Sequence, residues 1–190
     1  MEIIGVRSTS AAAIELGKTL LTLVLCIDIT AFELVTDIIS YHTGIHIAHE
    51  EGFAVMSHTN GVYGTRAAIA AGVDSLEHGN YMDEETLTML ADSHTVWVPT
   101  LVTVRNLLGC GRYEDETLLP IIHRAEEMVR TAFRKGVKTA LGSDAGSYCV
   151  LHGDGICQEY QSFREILGDS KKVQDWLRNG EEIIRKKFRR

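Results

Sequence analysis

Two histidines and one aspartate stand where short apolar runs end. His58 closes Phe53–Ser57, His78 closes Val73–Glu77, and Asp144 follows Val137–Leu141 by way of Gly142-Ser143. Neutral imidazoles and a carboxylate that converge on one point can hold a divalent metal and leave a position open for water. Histidines on the ends of neighbouring parallel strands have backbones ~5 Å apart, close enough for both to reach one ion. An aspartate from a later strand can bind the ion, or take a proton from the attacking water and return it to the leaving group. Histidine and aspartate suit zinc, manganese and iron alike, with zinc the leading expectation. Singly, each residue has a plainer reading, because strand-end histidines often pack locally and Asp-Ala-Gly is a good turn sequence. Their joint placement at three strand ends carries the argument.

Such placement requires a particular set of elements. From Gly52 onward, apolar runs alternate with helical patterns; a further run, Thr95–Val98, is stopped by Pro99-Thr100. Gly64–Ala71 reads as a helix closed by Gly72. Asp83 is the expected N-cap of a helix whose first turn holds Glu84 and Glu85, with Leu87 and Leu90 on its apolar side. Ile121, Ala125, Met128, Val129 and Ala132 recur at helical spacing and predict a helix over Pro120–Lys135, ended by Gly136. Helical stretches are expected over most of Gln158–Lys187. Repeated strand–helix units with short apolar strands predict an α/β fold with a parallel sheet buried on both faces. In such folds the chemistry sits where strands end and loops begin. His58, His78, Thr100 and Asp144 all lie there.

Residues 1–51 follow a different pattern. Ala11–Gly17 and Ala31–Ser40 read as helical, with a strand between them. His42, His46 and His49 cluster, and the first two share the i, i+4 spacing of a helical metal pair. No acidic partner gives an H-E-x-x-H arrangement, so surface or packing histidines are the expectation.

The composition narrows the function classes. Hydrophobic residues make up 45% and charged residues 24%, as in a soluble globular protein. A formal charge of -7 argues against a nucleic-acid partner. The basic run Arg185–Arg190 reads as a solvated helix end facing its own dipole. The longest apolar stretch, Leu20–Ile29, is short of a ~20-residue membrane span, and Glu15 and Asp28 argue against a signal peptide. Cys26, Cys110, Cys149 and Cys157 are far apart in sequence, which fits a reducing cytoplasm.

From about His49 to Arg190 the sequence resembles the amidohydrolase superfamily, in the branch near imidazolonepropionase and the metal-dependent Xaa-Pro dipeptidases. The segments that carry the resemblance are Val55–His58, Ala70–Gly79, Val98–Leu101, Ala140–Gly146, and His152-Gly153 with Glu159 after it. The resemblance implies a partial (β/α)8 TIM-type barrel over residues 52–190, strands five to eight with their helices. It implies that His58 and His78 bind one metal. Asp144 binds the other and serves as general base, and His152 lies near the substrate, with local hydrogen bonding as its plainer role. The implied reaction is hydrolysis of an amide or cyclic C–N bond in a small-molecule substrate by a metal-activated water.

The departures from that pattern shape the expectation. The family places an H-x-H pair after its first strand and a bridging lysine after its fourth. No H-x-H occurs in this sequence, and Lys18, the lysine that precedes His58, has no family context. The expectation is a truncated enzyme. The alternative is an inactive fragment, or a half-barrel subunit that self-associates or needs a partner chain to complete the barrel. A third reading is a small-molecule binding domain that uses Tyr63, Tyr81 and Tyr148.

Overall fold

Apolar runs between polar loops form a parallel sheet in simple sequence order: β1 (Leu23–Ile27), β2 (Val55–Thr59), β3 (Ser75–His78) and β4 (Val96–Val98). The structure, a computed structural model, describes the backbone of residues 23–27 and 34–188 and the side chains of 42–188. The helix expected at Ala11–Gly17 lies outside the described residues, as does Lys18. β1 comes from the N-terminal segment and pairs with β2 in register, setting Cys26 opposite His58.

The run Val137–Leu141 joins the sheet by a single rung. Thr139 bridges Trp97 in parallel, with Trp97 N–H to the Lys138 carbonyl at 2.8 Å and Ala140 N–H to the Trp97 carbonyl at 3.0 Å. It is a one-rung extension, since the next donor on the β4 side would be Pro99, which has no N–H.

Between and after the strands run α1 (Leu34–Glu50), α2 (Val62–Ala71), α3 (Glu84–Asp92), α4 (Val102–Arg105), α5 (Asp115–Lys135), α6 (Asp154–Leu167) and α7 (Lys171–Phe188). Local signals account for most boundaries. Asp83 caps α3 by accepting the Thr86 N–H at 2.8 Å, and Gly72 and Gly136 close α2 and α5. α5 starts ahead of Pro120, with Asp115 and Glu116 in its first turn. The proline's missing N–H forgoes one backbone bond there, a tolerable loss near a helix start. Among the described residues, no helix is long and apolar enough to cross a membrane.

The sheet has two differently covered faces. On one, Val55, Leu76 and Trp97 pack with Ala68, Leu87, Leu90, Met128, Val129 and Phe163 in the main core. Each valine, leucine, methionine and phenylalanine among them contributes roughly 1.5–3 kcal/mol by leaving water. On the other face, Val96, Val98 and Ala140 form a smaller cluster against Ile183 and Ile184.

One helix serves both faces. α7 begins in the main core through Val173 and Leu177, where Trp176 Nε1 donates to the Val137 carbonyl at 2.7 Å. It then crosses the Thr139–Ala140 rung at Gly180 and ends with Ile183 and Ile184 on the opposite face. Lys187 reaches Asp74, ahead of β3, at 2.5 Å. The basic end of this helix is therefore not wholly solvated. Lys187 is half-buried on Asp74, and Arg185 pairs with Glu181.

Candidate active site

The site is assembled by two neighbouring strands whose histidines stand one register position apart. Register sets His58 beside Glu77, and Thr59 beside His78. Simple alternation would send the two histidines to opposite faces. His78 escapes it because its backbone is left-handed, with φ 64°. That turns its ring back over the sheet end, where His78 Nε2 lies 2.8 Å from His58 Nδ1 and the ring centroids are 4.4 Å apart.

Three strand-end residues share this unusual backbone: His78 (φ 64°), Thr100 (φ 51°) and Asp144 (φ 51°). Left-handed residues other than glycine cost of order 1–3 kcal/mol and concentrate at functional sites. Gly79 also has positive φ, and a β-carbon there would stand 2.8 Å from Leu76 Cδ2 and 3.0 Å from Trp97 Nε1. The Trp97 indole needs that space, since it donates to the His78 carbonyl at 2.8 Å. The Glu77-His78-Gly79 segment is thus a tight reversal braced by Trp97.

The hydrogen-bond network fixes the His78 tautomer. Thr100 Oγ1 donates to the Pro99 carbonyl at 2.7 Å. With its one proton spent, it accepts from His78 Nδ1, 2.5 Å away. The Nε2 lone pair then faces His58. Burial, followed by the neighbouring His58, lowers the His78 pKa to about 4 against a smaller opposing pull from Asp144, so the ring is neutral at physiological pH. A neutral imidazole with its far nitrogen anchored is the form that binds a metal.

Glu77 and Asp144 complete the polar cluster. Burial raises the Glu77 carboxyl to about 7; the Ser75 hydroxyl, 2.5 Å from Oε1, opposes this, and the charge of Asp144 adds to it. Asp144 is exposed, and its Oδ2 accepts from the Ser147 hydroxyl. Its charge acts on both Glu77 and His78, which sets all of these groups around one end of the sheet. His152 is exposed in the following loop, where a β-carbon on Gly146 would meet its Nε2 at 3.8 Å.

The donor chemistry suits a divalent ion. Two nitrogens on one tetrahedral ion at ~2.0–2.1 Å bonds stand about 3.3 Å apart, so the 2.8 Å His58–His78 contact needs to open by only about half an ångström. Among the described residues, no group of three or more His, Cys, Asp or Glu is close enough to hold an ion by itself. His58 and His78 form a two-donor pair.

The other candidates fall elsewhere. His46 pairs with Glu50 at 3.2 Å, and His49 meets Asp74 at 2.8 Å, at the opposite end of the strands. Tyr81 and Tyr148 are exposed beneath Arg124 and Arg112, and Tyr63 is exposed as well. Sequence reading placed Thr100 at a strand end without giving it a partner, and it passed over Glu77. Strand register after Val55 would have put Glu77 beside His58.

No family model matches this sequence. Curated relatives are uncharacterized proteins of Mycobacterium bovis and Mycobacterium tuberculosis, each 31% identical over 128 residues, 64% of this chain and 34% of theirs. The chain spans about a third of the length of the curated relatives it matches. Among solved structures, a Xaa-Pro dipeptidase with methionine bound in its active site is 25% identical with a TM-score of 0.56, covering 74% of this chain and 38% of that one. The ochratoxinase of A. niger gives a TM-score of 0.65 at 20% identity, over 85% of this chain and 39% of that one. An amidohydrolase gives 0.59 at 24% identity, over 76% and 36%. The likeness shows a shared fold: a mixed α/β chain whose small parallel sheet and covering helices match part of amidohydrolase-type structures.

Proposed function

We propose that this chain is part of a metal-dependent hydrolase acting on an amide or cyclic C–N bond of a small-molecule substrate. The observation that carries the reading is the His58–His78 pair at the carboxyl end of the sheet, with the His78 tautomer set by Thr100. The likeness to a dipeptidase and an ochratoxinase supports the reaction class.

A divalent ion held by His58 Nδ1 and His78 Nε2, zinc first among the candidates, would supply a Lewis acid that makes water a nucleophile near neutral pH. The rest falls to the chain. Thr100 keeps the His78 lone pair directed at the pair's shared position. Asp144 has Oδ2 occupied by Ser147, which leaves Oδ1 to take a proton from the attacking water and pass it to the leaving nitrogen. His152 borders the same loop and fits a contact to substrate. Free thiols far apart in sequence fit a cytoplasmic setting.

A second reading is favoured by the two-donor pair and by the short span of the relatives covered. In it, the chain is an inactive fragment until a partner chain or a second copy completes the barrel and supplies further donors.

Zinc uptake and turnover of Xaa-Pro dipeptides and N-acyl amino acids test the proposal. Wild type takes up zinc, His78→Ala does not, and Asp144→Asn keeps the ion but turns over on the order of 100-fold more slowly. Zinc uptake that is absent from wild type, or unchanged in His78→Ala, ends the metal-site reading. Sedimentation of the chain separates the two readings, because an active monomer excludes the need for a partner.

A further inference from the structure

Cys110 and Cys149 are far apart in sequence and adjacent in space. Cys110 follows α4, and Cys149 sits in the loop between Asp144 and His152. Both thiols are free, and the two side chains lie close enough to influence each other electrostatically. The two loops are tied at further points around them. Asn106 Nδ2 donates to the Cys149 carbonyl at 2.9 Å and to Gln158 Oε1 at 2.6 Å. The Arg112 guanidinium stacks on the Tyr148 ring at 4.7 Å and on Tyr113 at 5.5 Å. The contact therefore belongs to the loop packing and does not depend on one flexible side chain. Cys149 is exposed, Cys110 is partly so, and Cys149 has a left-handed backbone, φ 62°.

The geometry points to Cys110 and Cys149 as a reversible thiol–disulfide site that closes on oxidation by a low-molecular-weight disulfide such as oxidised glutathione. The exposed Cys149 thiolate attacks one sulfur of the small disulfide and releases one small thiolate, leaving a mixed disulfide on Cys149. The Cys110 thiolate then attacks Cys149 Sγ, forms the Cys110–Cys149 bond and releases the second small thiol. Two protein thiols are oxidised, one small disulfide is reduced to two thiols, and the exchange reverses with excess thiol. The bond would staple the loop after α4 to the loop that carries Asp144 and His152. It stands apart from the proposed reaction and needs no metal.

The test is incubation of the native chain with oxidised glutathione, followed by acid quench, alkylation of remaining thiols and peptide mapping without reduction. A Cys110–Cys149 cross-linked peptide is expected, with no glutathione retained. It should form at least about tenfold faster in native buffer than in urea, because folding holds the two sulfurs together. Cys110→Ser should instead trap glutathione on Cys149. The inference is overturned by formation at equal rates in native buffer and urea, by preferential pairing of Cys149 with Cys157 or Cys26, or by wild type that keeps glutathione on Cys149 as Cys110→Ser does.

Discussion

A β-carbon placed on Gly180 would stand 2.0 Å from the carbonyl oxygen of Thr139. Helix propensity alone says that alanine improves an interior glycine by up to ~1 kcal/mol. Contact with rigid backbone reverses the sign, since overpacking costs typically ~1–3 kcal/mol. Gly180→Ala should therefore lower the urea midpoint. Gly44→Ala in α1 is the control, because nothing lies within 4 Å of its β-carbon, and it should raise the midpoint. If both variants gain stability, α7 does not cross the sheet at this point.

Thr100→Val keeps the shape and the β-branch at φ 51° but removes the acceptor for His78 Nδ1. A buried donor left unpaired costs about 1–3 kcal/mol. Under the proposed function, zinc affinity should fall by roughly 10- to 100-fold, as for other partners that orient a metal-binding histidine. Competition with a chromogenic chelator measures the affinity, and urea melts of the metal-free chain measure the stability loss. Unchanged affinity would show that the Thr100 contact does not orient the ring for metal.

Glu159 gives a pH dependence with a definite sign. Its carboxyl is fully buried and accepts the N–H groups of Leu101 at 3.0 Å and Val102 at 2.9 Å. Burial, the largest influence, outweighs those bonds and Arg105 and raises its pKa to about 7 from an ordinary 4.5. The folded chain therefore holds a proton that the unfolded chain has already lost. Stability from this group is present below 4.5 and declines as pH rises to 7. Glu77 slopes the same way, while His78, lowered to about 4, slopes the opposite way, so wild type alone does not isolate Glu159. The difference between wild type and Glu159→Gln does. Wild type should lose up to roughly 3 kcal/mol relative to the variant between pH 5 and 8. A difference that is flat with pH would refute the raised pKa.

Asp74 behaves in the opposite sense. Burial alone would raise its pKa, but hydrogen bonds from Lys187, the Val55 N–H and His49 outweigh that and hold it below the usual carboxylate range. Its contribution is complete above the ordinary carboxylate pKa and fades as pH falls through the lowered one. Asp74→Asn should destabilise at pH 7 and approach wild type in acid. Lys187→Met should reproduce part of that loss, and thermal melts at the two pH values check both.

Much of this architecture was legible in the sequence because its signals are local. Asp83 ahead of Glu84-Glu85, Gly72, Gly136 and the apolar runs ending at His58 and His78 each act within a few residues. The close approach of His58 and His78 was expected. The way it is achieved was not, because nothing in the residue types of His78, Thr100 or Asp144 announces a left-handed backbone. Val137–Leu141 read as a strand like the others, yet its pairing is one rung, because Pro99 on the neighbouring strand offers no N–H to extend the ladder. Gly180 carries no signal in the sequence; its place in α7 is explained by Thr139, a contact that periodicity does not reveal. Cys110 and Cys149 likewise look unrelated until two loops bring them together.

The path of α7 also bears on how the chain is made. The Thr139–Ala140 rung leaves the ribosome before the helix that shields it, so for that interval a parallel sheet stands with one margin bare. Slow passage through the codons for α7 would lengthen this interval, and nascent chains stalled there should be the ones that clump or recruit chaperones.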